Sequence, residues 1–181
     1  IGETEILAQV KKAYQSALAG GFTRRNLNRA FQSAIAAGKD VRSATGIQNG
    51  IHSIGGATAL MAKRIFGDKA GGGIVVFGAG QTAEAVVRHL AAKKFDRIVV
   101  ANRTVANALA IAEKIGGTAA TLDEGLALLD QVEVAVFSAS VSEPLLTAEL
   151  MAAMLPRRRK PLFLVDLGVP RNVSPACAKL D

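Results

Sequence analysis

The chain has 181 residues, half of them hydrophobic, with 18 glycines, no tryptophan and one cysteine, Cys177. That composition excludes a mainly disordered chain, an internal disulfide framework and a clustered cysteine metal site. Lys and Arg number 22 against 15 Asp and Glu, a surplus of seven positive charges, which suits polyanionic ligands such as nucleotides or RNA as well as ordinary solubility. No apolar run approaches the roughly twenty residues needed to cross a bilayer. Lone-cysteine usage and the lack of a signal-peptide pattern point to the cytoplasm. The chain opens on Ile1-Gly2 rather than Met, and reads as a piece of something longer.

From the N-terminus, Ile6, Leu7, Val10, Tyr14 and Leu18 keep one helical face. After Gly20-Gly21, Leu27, Phe31, Ala34, Ile35 and Val41 keep another. Ile51, Ile54, Thr58, Met61 and Ile65 mark a third helix, which runs to Phe66-Gly67-Asp68 and the cluster Gly71-Gly72-Gly73, where the chain turns. A β/α alternation begins at residue 74. Its expected elements are strand 74–77, a Gly-rich turn, a helix carrying Ala83, Val87 and Leu90, strand 98–101, a helix at about 104–115 and a short strand near 119–121. A short helix at about 123–129, strand 132–137, helix 147–154 and strand 162–166 complete the series. Near-continuous apolar strands alternating with helices imply a parallel sheet covered on both faces. The expected fold class is α/β, a Rossmann-like doubly wound parallel sheet preceded by a helical segment, with domains at 1–47 and 48–181.

The chemistry is read from two strand ends. Gly78-Ala79-Gly80-Gln81-Thr82-Ala83 follows the apolar run Ile74-Val75-Val76-Phe77. Gly78 allows a tight turn, Gly80 lets the backbone approach a pyrophosphate, and Ala83 takes the third small position, where helix and sheet pack closely. The helix N-terminus at residues 79–83 then offers N–H groups and partial positive charge to phosphates. The second strand, Ile98-Val99-Val100-Ala101, ends in Asn102-Arg103-Thr104, where an NAD-selective site would carry Asp or Glu to hold the ribose hydroxyls. With no acid there, Asn102 is expected to bond the ribose, Arg103 to pair with a 2′-phosphate, and Thr104 to donate from its hydroxyl while capping the next helix. The expected cofactor is NADPH. Ser138-Ala139-Ser140 follows strand 132–137 at the edge where such sheets place ligands, so these small residues, Ser138 first, are expected either to border the nicotinamide or to form a simple polar turn. Asp166-Leu167-Gly168-Val169-Pro170-Arg171 ends the last strand at the same edge, where Gly168 and Pro170 are expected to shape a tight loop around the cofactor's reactive end, with a structural role as the alternative for Asp166.

Other polar residues carry less. His52 and His89 lie in helical patterns with no carboxylate or cysteine partner at ligand or triad spacing, and are expected to be surface or packing residues. Cys177 lies in no motif that lowers a thiol pKa, so no catalytic residue and no metal ligand is assigned. Arg157-Arg158-Arg159-Lys160 is either a basic loop beside a helix C-terminus or an RNA contact.

Taken together, Gly2-Glu3-Thr4-Glu5-Ile6-Leu7-Ala8-Gln9-Val10-Lys11, Leu27-Asn28-Arg29-Ala30-Phe31-Gln32, Gly38-Lys39-Asp40-Val41-Arg42, the Gly78 turn, Ala101-Asn102-Arg103-Thr104 and Val165-Asp166-Leu167-Gly168-Val169-Pro170-Arg171-Asn172-Val173 resemble glutamyl-tRNA reductase along the whole chain. The resemblance implies NADPH-dependent reduction of glutamyl-tRNA to glutamate-1-semialdehyde, the entry to tetrapyrrole (porphyrin) biosynthesis. It also implies a covalent step on a cysteine of the N-terminal catalytic domain, upstream of this chain, followed by hydride transfer. On that footing residues 1–47 are the closing helices of the catalytic domain, and Glu3, Glu5 and Gln9 stand at substrate-side positions. The piece alone is expected to be inactive. The family usually has Pro at the Thr4 position, Gln at the Glu5 position, Glu at the Gln81 position and Ser-Ser-Thr near Ser138. The implied partners are glutamyl-tRNA, a semialdehyde aminotransferase and, through a further C-terminal domain, a second copy. Two other readings stand beside it: the cofactor domain of a shikimate or quinate dehydrogenase, and a non-catalytic NADPH-sensing module.

Overall fold

The computed structural model describes residues 4–51, 53–67, 73–95 and 97–180, and falls into two compact units, Ile1–Ser53 and Ile54–Asp181. The first holds helices α1 (Thr4–Ala19) and α2 (Arg25–Ala44). Between them Gly21 adopts φ +71°, a left-handed conformation that glycine takes without steric cost. Tyr14 is buried and stacks on Phe31 with ring centroids 5.3 Å apart, and Gln32 Nε2 donates to the Tyr14 hydroxyl at 3.2 Å. Leu7 packs toward Gly38, where a Cβ would come within 3.0 Å of it. Ile6, Leu18, Leu27 and Val41, expected on the packed faces, are exposed. Within this unit two helices meet along a seam narrower than the apolar stripe each carries.

The second unit begins with α3 (Ile54–Phe66) and continues β1 (Ile74–Phe77), α4 (Gln81–Ala92), β2 (Ile98–Ala101), α5 (Val105–Ala112), β3 (Thr118–Ala120), α6 (Leu122–Ala127), β4 (Val134–Phe137), α7 (Ala148–Met154) and β5 (Phe163–Asp166). Short 3-10 turns extend α5, α6 and α7 at Glu113–Ile115, Leu128–Asp130 and Leu155–Arg157. Among the described residues the strands form one parallel sheet in the order β3-β2-β1-β4-β5. This is the doubly wound Rossmann-like sheet expected from the alternation.

Side-chain alternation divides the core in two. Ile74 and Val76 of β1 join Val86, Val87 and Leu90 of α4 and Ala108 and Ile111 of α5 on one face. Val75 and Phe77 join Leu129, Met151 and Met154 on the other. Phe77 and Phe137, neighbours in register on β1 and β4, stack with centroids 4.4 Å apart. Every residue of β1 and β4 is buried, whereas β5, also expected to be covered on both faces, is half-buried because it forms the sheet edge.

α3 departs from its expected face. Its buried residues are Gly55, Thr58, Ala59 and Ala62, while Ile54, Met61 and Ile65 are 51%, 51% and 52% exposed. A Cβ at Gly55 would lie 3.0 Å from the backbone of Ala85 and Val86. Small residues let α3 approach α4 closely, and bulky ones would hold it off. Lys114 Nζ meets Glu84 Oε1 at 2.8 Å, and this partner holds the exposed Glu84 carboxyl below its ordinary range.

Candidate functional site

β1 and β4 lie side by side although the chain between them winds through β2 and β3 on the opposite flank, so the connections leave in opposite directions from their carboxyl ends. A crevice opens at such a reversal point. Here a cavity of about 290 Å³ is lined by Gly78, Ala79, Gly80, Asn102, Arg103, Thr104, Asn107, Leu122 and the segment 138–141. The sequence-expected residues Gly78, Ala79, Gly80, Asn102, Arg103, Thr104 and Ser138, 60 positions apart at the extremes, meet in it.

Gly78 has φ +109°, and a Cβ there would sit 2.7 Å from the Ser138 carbonyl oxygen. Any side chain would combine backbone strain with a clash against the β4 loop. Gly80 differs: its Cβ would meet nothing within 4 Å, so the missing side chain leaves open space in front of α4. Gly80 is also the N-cap of α4 and supplies no side-chain cap, leaving the first-turn N–H groups of the helix to an incoming anion. Gln81 and Thr82 lie exposed on that turn and Ala83 is fully buried against the sheet; none of the three lines the cavity.

At the end of β2, Asn102 N donates to Ala120 O at 3.1 Å and Asn102 Nδ2 donates to Thr104 O at 3.0 Å. The asparagine amide thus holds the turn that carries Arg103, which is exposed at the cavity wall. Thr104 occupies the N-cap position of α5, but its side chain makes no capping bond. That corrects the expected cap: Thr104 lines the cavity without its side chain serving the helix. Ser138 Oγ donates to Phe77 O at 3.1 Å, which leaves the hydroxyl oxygen to accept.

Glu5 and Gln9 are exposed residues one turn apart on α1 of the other unit, and Glu3 lies outside the described residues, as does His52. His89 Nδ1 lies 2.7 Å from Ala85 O within α4. Cys177 is buried, with Sγ 3.7 Å from Leu146 O, and burial pushes its thiol pKa up, the opposite of an activated nucleophile. Of the basic cluster, Arg158 is a structural residue: it donates to the carbonyls of Leu129, Val132, Lys160 and Pro161. Lys160 pairs with buried Glu133 at 2.7 Å.

Sequence reasoning missed Asn107 and Leu122, which reach the cavity from the first turns of α5 and α6. Their only signal was a place just past a strand end. It also assigned no role to Asn172, which is fully buried behind the cavity wall.

Residues 1–45 match the family model described as the N-terminal domain of glutamyl-tRNAGlu reductase, and residues 60–181 match that of shikimate / quinate 5-dehydrogenase. Glutamyl-tRNA reductase from Syntrophus aciditrophicus is 41% identical over 182 residues, covering 100% of this chain and 43% of that protein. The Thermus thermophilus enzyme is 42% identical over 180 residues, covering 99% and 45%. The solved glutamyl-tRNA reductase of Methanopyrus kandleri superposes over 100% of this chain and 46% of its own, with TM-score 0.67 at 33% identity. The chain belongs to the glutamyl-tRNA reductase family, and its residues 60–181 to the shikimate / quinate 5-dehydrogenase domain family.

This chain spans a little under half the length of those three glutamyl-tRNA reductases. Within the family, the nucleotide-binding domain of glutamyl-tRNA reductase from Thermoplasma volcanium shares the fold, with TM-score 0.52 at 21% identity over 67% of this chain and 80% of its own. The pair of family matches explains why the Asn102-Arg103-Thr104 segment also fitted a shikimate-type reading: the nucleotide-binding unit is common to both, and residues 1–45 separate them. No helix among the described residues is long and apolar enough to cross a membrane.

Proposed function

We propose that the unit Ile54–Asp181 binds NADPH, and that the longer protein reduces glutamyl-tRNA to glutamate-1-semialdehyde in tetrapyrrole biosynthesis. The observation that carries this reading is the convergence of Gly80, the uncapped start of α4 and Arg103 on one crevice, with no acid at the end of β2.

The residues present fit that cofactor. Open space before Gly80 accommodates a pyrophosphate, and the α4 N-terminus, including the backbone of Gln81, Thr82 and Ala83, supplies its counter-dipole. Arg103 pairs with a ribose 2′-phosphate and the Thr104 hydroxyl donates to it, while Asn102 keeps their turn in place and can reach the ribose. Ser138, whose hydroxyl oxygen is left to accept, would border the nicotinamide. NADPH, when bound, supplies the hydride. The protein's part is to hold the nicotinamide in position against the acyl carbon.

Glu3, Glu5 and Gln9 form the substrate side. Glutamyl-tRNA is the substrate in the full-length protein, a semialdehyde aminotransferase receives the product, and homodimerisation belongs to a further C-terminal domain. Residues 1–47 act as the end of the catalytic domain, 48–181 as the NADP-binding domain, and the protein works in the cytoplasm. The matches of residues 1–45 and 60–181 to two different family models support this division.

Calorimetric titration of the chain with NADPH and NADH tests the cofactor assignment. Tighter binding of NADPH is expected, and equal or stronger binding of NADH would overturn it. For the longer protein, formation of the semialdehyde from glutamyl-tRNA and NADPH tests the reaction.

A further inference from the structure

We infer that Asn172, oriented by Asp166, is a positioning residue for the cofactor crevice, holding the β4 loop at the distance from the Gly78 turn that cofactor binding requires. The inference rests on the NADPH reading above.

Asn172 is a polar side chain with no exposed surface, and it does not line the cavity. Its Oδ1 accepts from Ala139 N at 2.8 Å, so a residue 33 positions downstream fixes an amide on the cavity wall. Its Nδ2 donates to Pro170 O at 3.1 Å. Asp166 sets the direction of this side chain: its carboxylate accepts from Gly168 N at 2.9 Å, Asn172 N at 2.9 Å and Val173 N at 3.0 Å, folding the post-β5 segment back on itself. Gly168 leaves the room, since a Cβ there would overlap the Asn172 amide. Leu146 N then donates to Asn172 O at 3.1 Å, so the segment leaving the β4 loop is tied to the same residue.

This clamp reaches the anion turn through one further contact. The Ser138 carbonyl, adjacent to Ala139, occupies the space a Cβ at Gly78 would need. Without the Asn172 bond, the half-buried Ala139 N–H would lose its protein partner, and the loop would shift to pair it with water. Because Ser138 packs on Gly78, that shift changes the width of the crevice at its pyrophosphate and nicotinamide end. The Arg103 end, held by Asn102 and Ala120, stays put. Neither Asp166 nor Asn172 lines the cavity, and Asn172 is sealed behind its wall.

Titration of the chain with NADPH and with adenosine 2′,5′-bisphosphate, which carries only the Arg103-side half, tests this well below each variant's unfolding temperature. Asn172→Ala is expected to weaken NADPH about tenfold, as for a lost buried hydrogen bond, and to change the bisphosphate less than about twofold. Asn172→Asp, whose carboxylate still accepts from Ala139 N but cannot donate to Pro170 O, is expected to bind NADPH more tightly than Asn172→Ala and more weakly than the parent. Unchanged NADPH binding by Asn172→Ala, or equal weakening of both ligands, would overturn the proposal. Should Asn172→Ala not fold, the Asp variant and amide exchange at Ala139 in the parent decide: slow exchange with NADPH binding retained by the Asp variant supports the clamp, and fast exchange or loss of that binding overturns it. If the parent binds neither ligand while Ala139 exchanges slowly, the cofactor assignment falls, and with it the clamp's role in cofactor binding.

Discussion

Arg103 stands exposed at the end of β2 on a turn held by the Asn102 amide. A charge-assisted pair with a 2′-phosphate there is worth about 1.5–3 kcal/mol. Arg103→Ala is therefore expected to lower NADPH affinity by roughly tenfold to a hundredfold and to leave NADH nearly unchanged, as read by calorimetry. Gly78 answers to backbone geometry. At φ +109° with the Ser138 carbonyl 2.7 Å from the added Cβ, Gly78→Ala should cost about 1–3 kcal/mol in urea unfolding. Gly80→Ala should leave stability nearly unchanged, because its Cβ meets no protein atom, and should weaken NADPH by filling the space kept for the phosphates. Both glycines were legible from their spacing after an apolar run. Their different reasons were not, since one depends on a loop 60 residues away.

At the scale of elements, α6 begins with a reciprocal cap: the Thr121 hydroxyl accepts from Glu124 N at 3.2 Å while Glu124 Oε2 accepts from Thr121 N at 2.7 Å. Thr121→Ala is expected to cost about 1 kcal/mol, measured by chemical denaturation. The Thr121 N–H, and then the Thr121 hydroxyl 2.9 Å from Oε2, hold the Glu124 carboxyl below its ordinary range. A depressed folded-state pKa means the contribution is complete above the ordinary carboxylate range and is lost as pH falls below it. The Thr121→Ala destabilisation should shrink under acid for the same reason. In the basic segment, Arg158 caps carbonyls from the 3-10 turn after α6, the residues before β4 and the segment leading into β5. Arg158→Ala should cost about 2–4 kcal/mol by orphaning several of them, whereas Arg157→Ala, an exposed side chain, should fall within about 0.5 kcal/mol of the parent. Four consecutive basic residues look alike in sequence, and only the fold separates a scaffold cation from a solvated one. α3 teaches the same lesson in reverse. Its helical period was legible, but the face that packs is the one bearing Gly55, Ala59 and Ala62.

At the scale of the molecule, the site is a property of strand order. Placing β1 beside β4 brings the Gly78 turn, the β2 end and the 138–141 loop to one crevice. Ligand that binds only the folded chain stabilises it by about 2.7 kcal/mol at a hundredfold excess over Kd. NADPH at that excess should accordingly raise the unfolding temperature of the chain more than the same concentration of NADH.

Local signals sufficed for the helix and strand order and for the Gly-rich turn at Gly78, and they are what the proposal of a phosphorylated cofactor starts from, because a Gly-rich turn, an apolar period and the charge at a strand end are each set within a few residues. Burial on α3, the half-covered edge of β5, the missing side-chain cap at Thr104 and the Asp166–Asn172 tie to Ala139 had no such local signature. Each depends on which distant segment arrives as a neighbour, and packing and buried hydrogen bonds are satisfied only after the sheet has assembled.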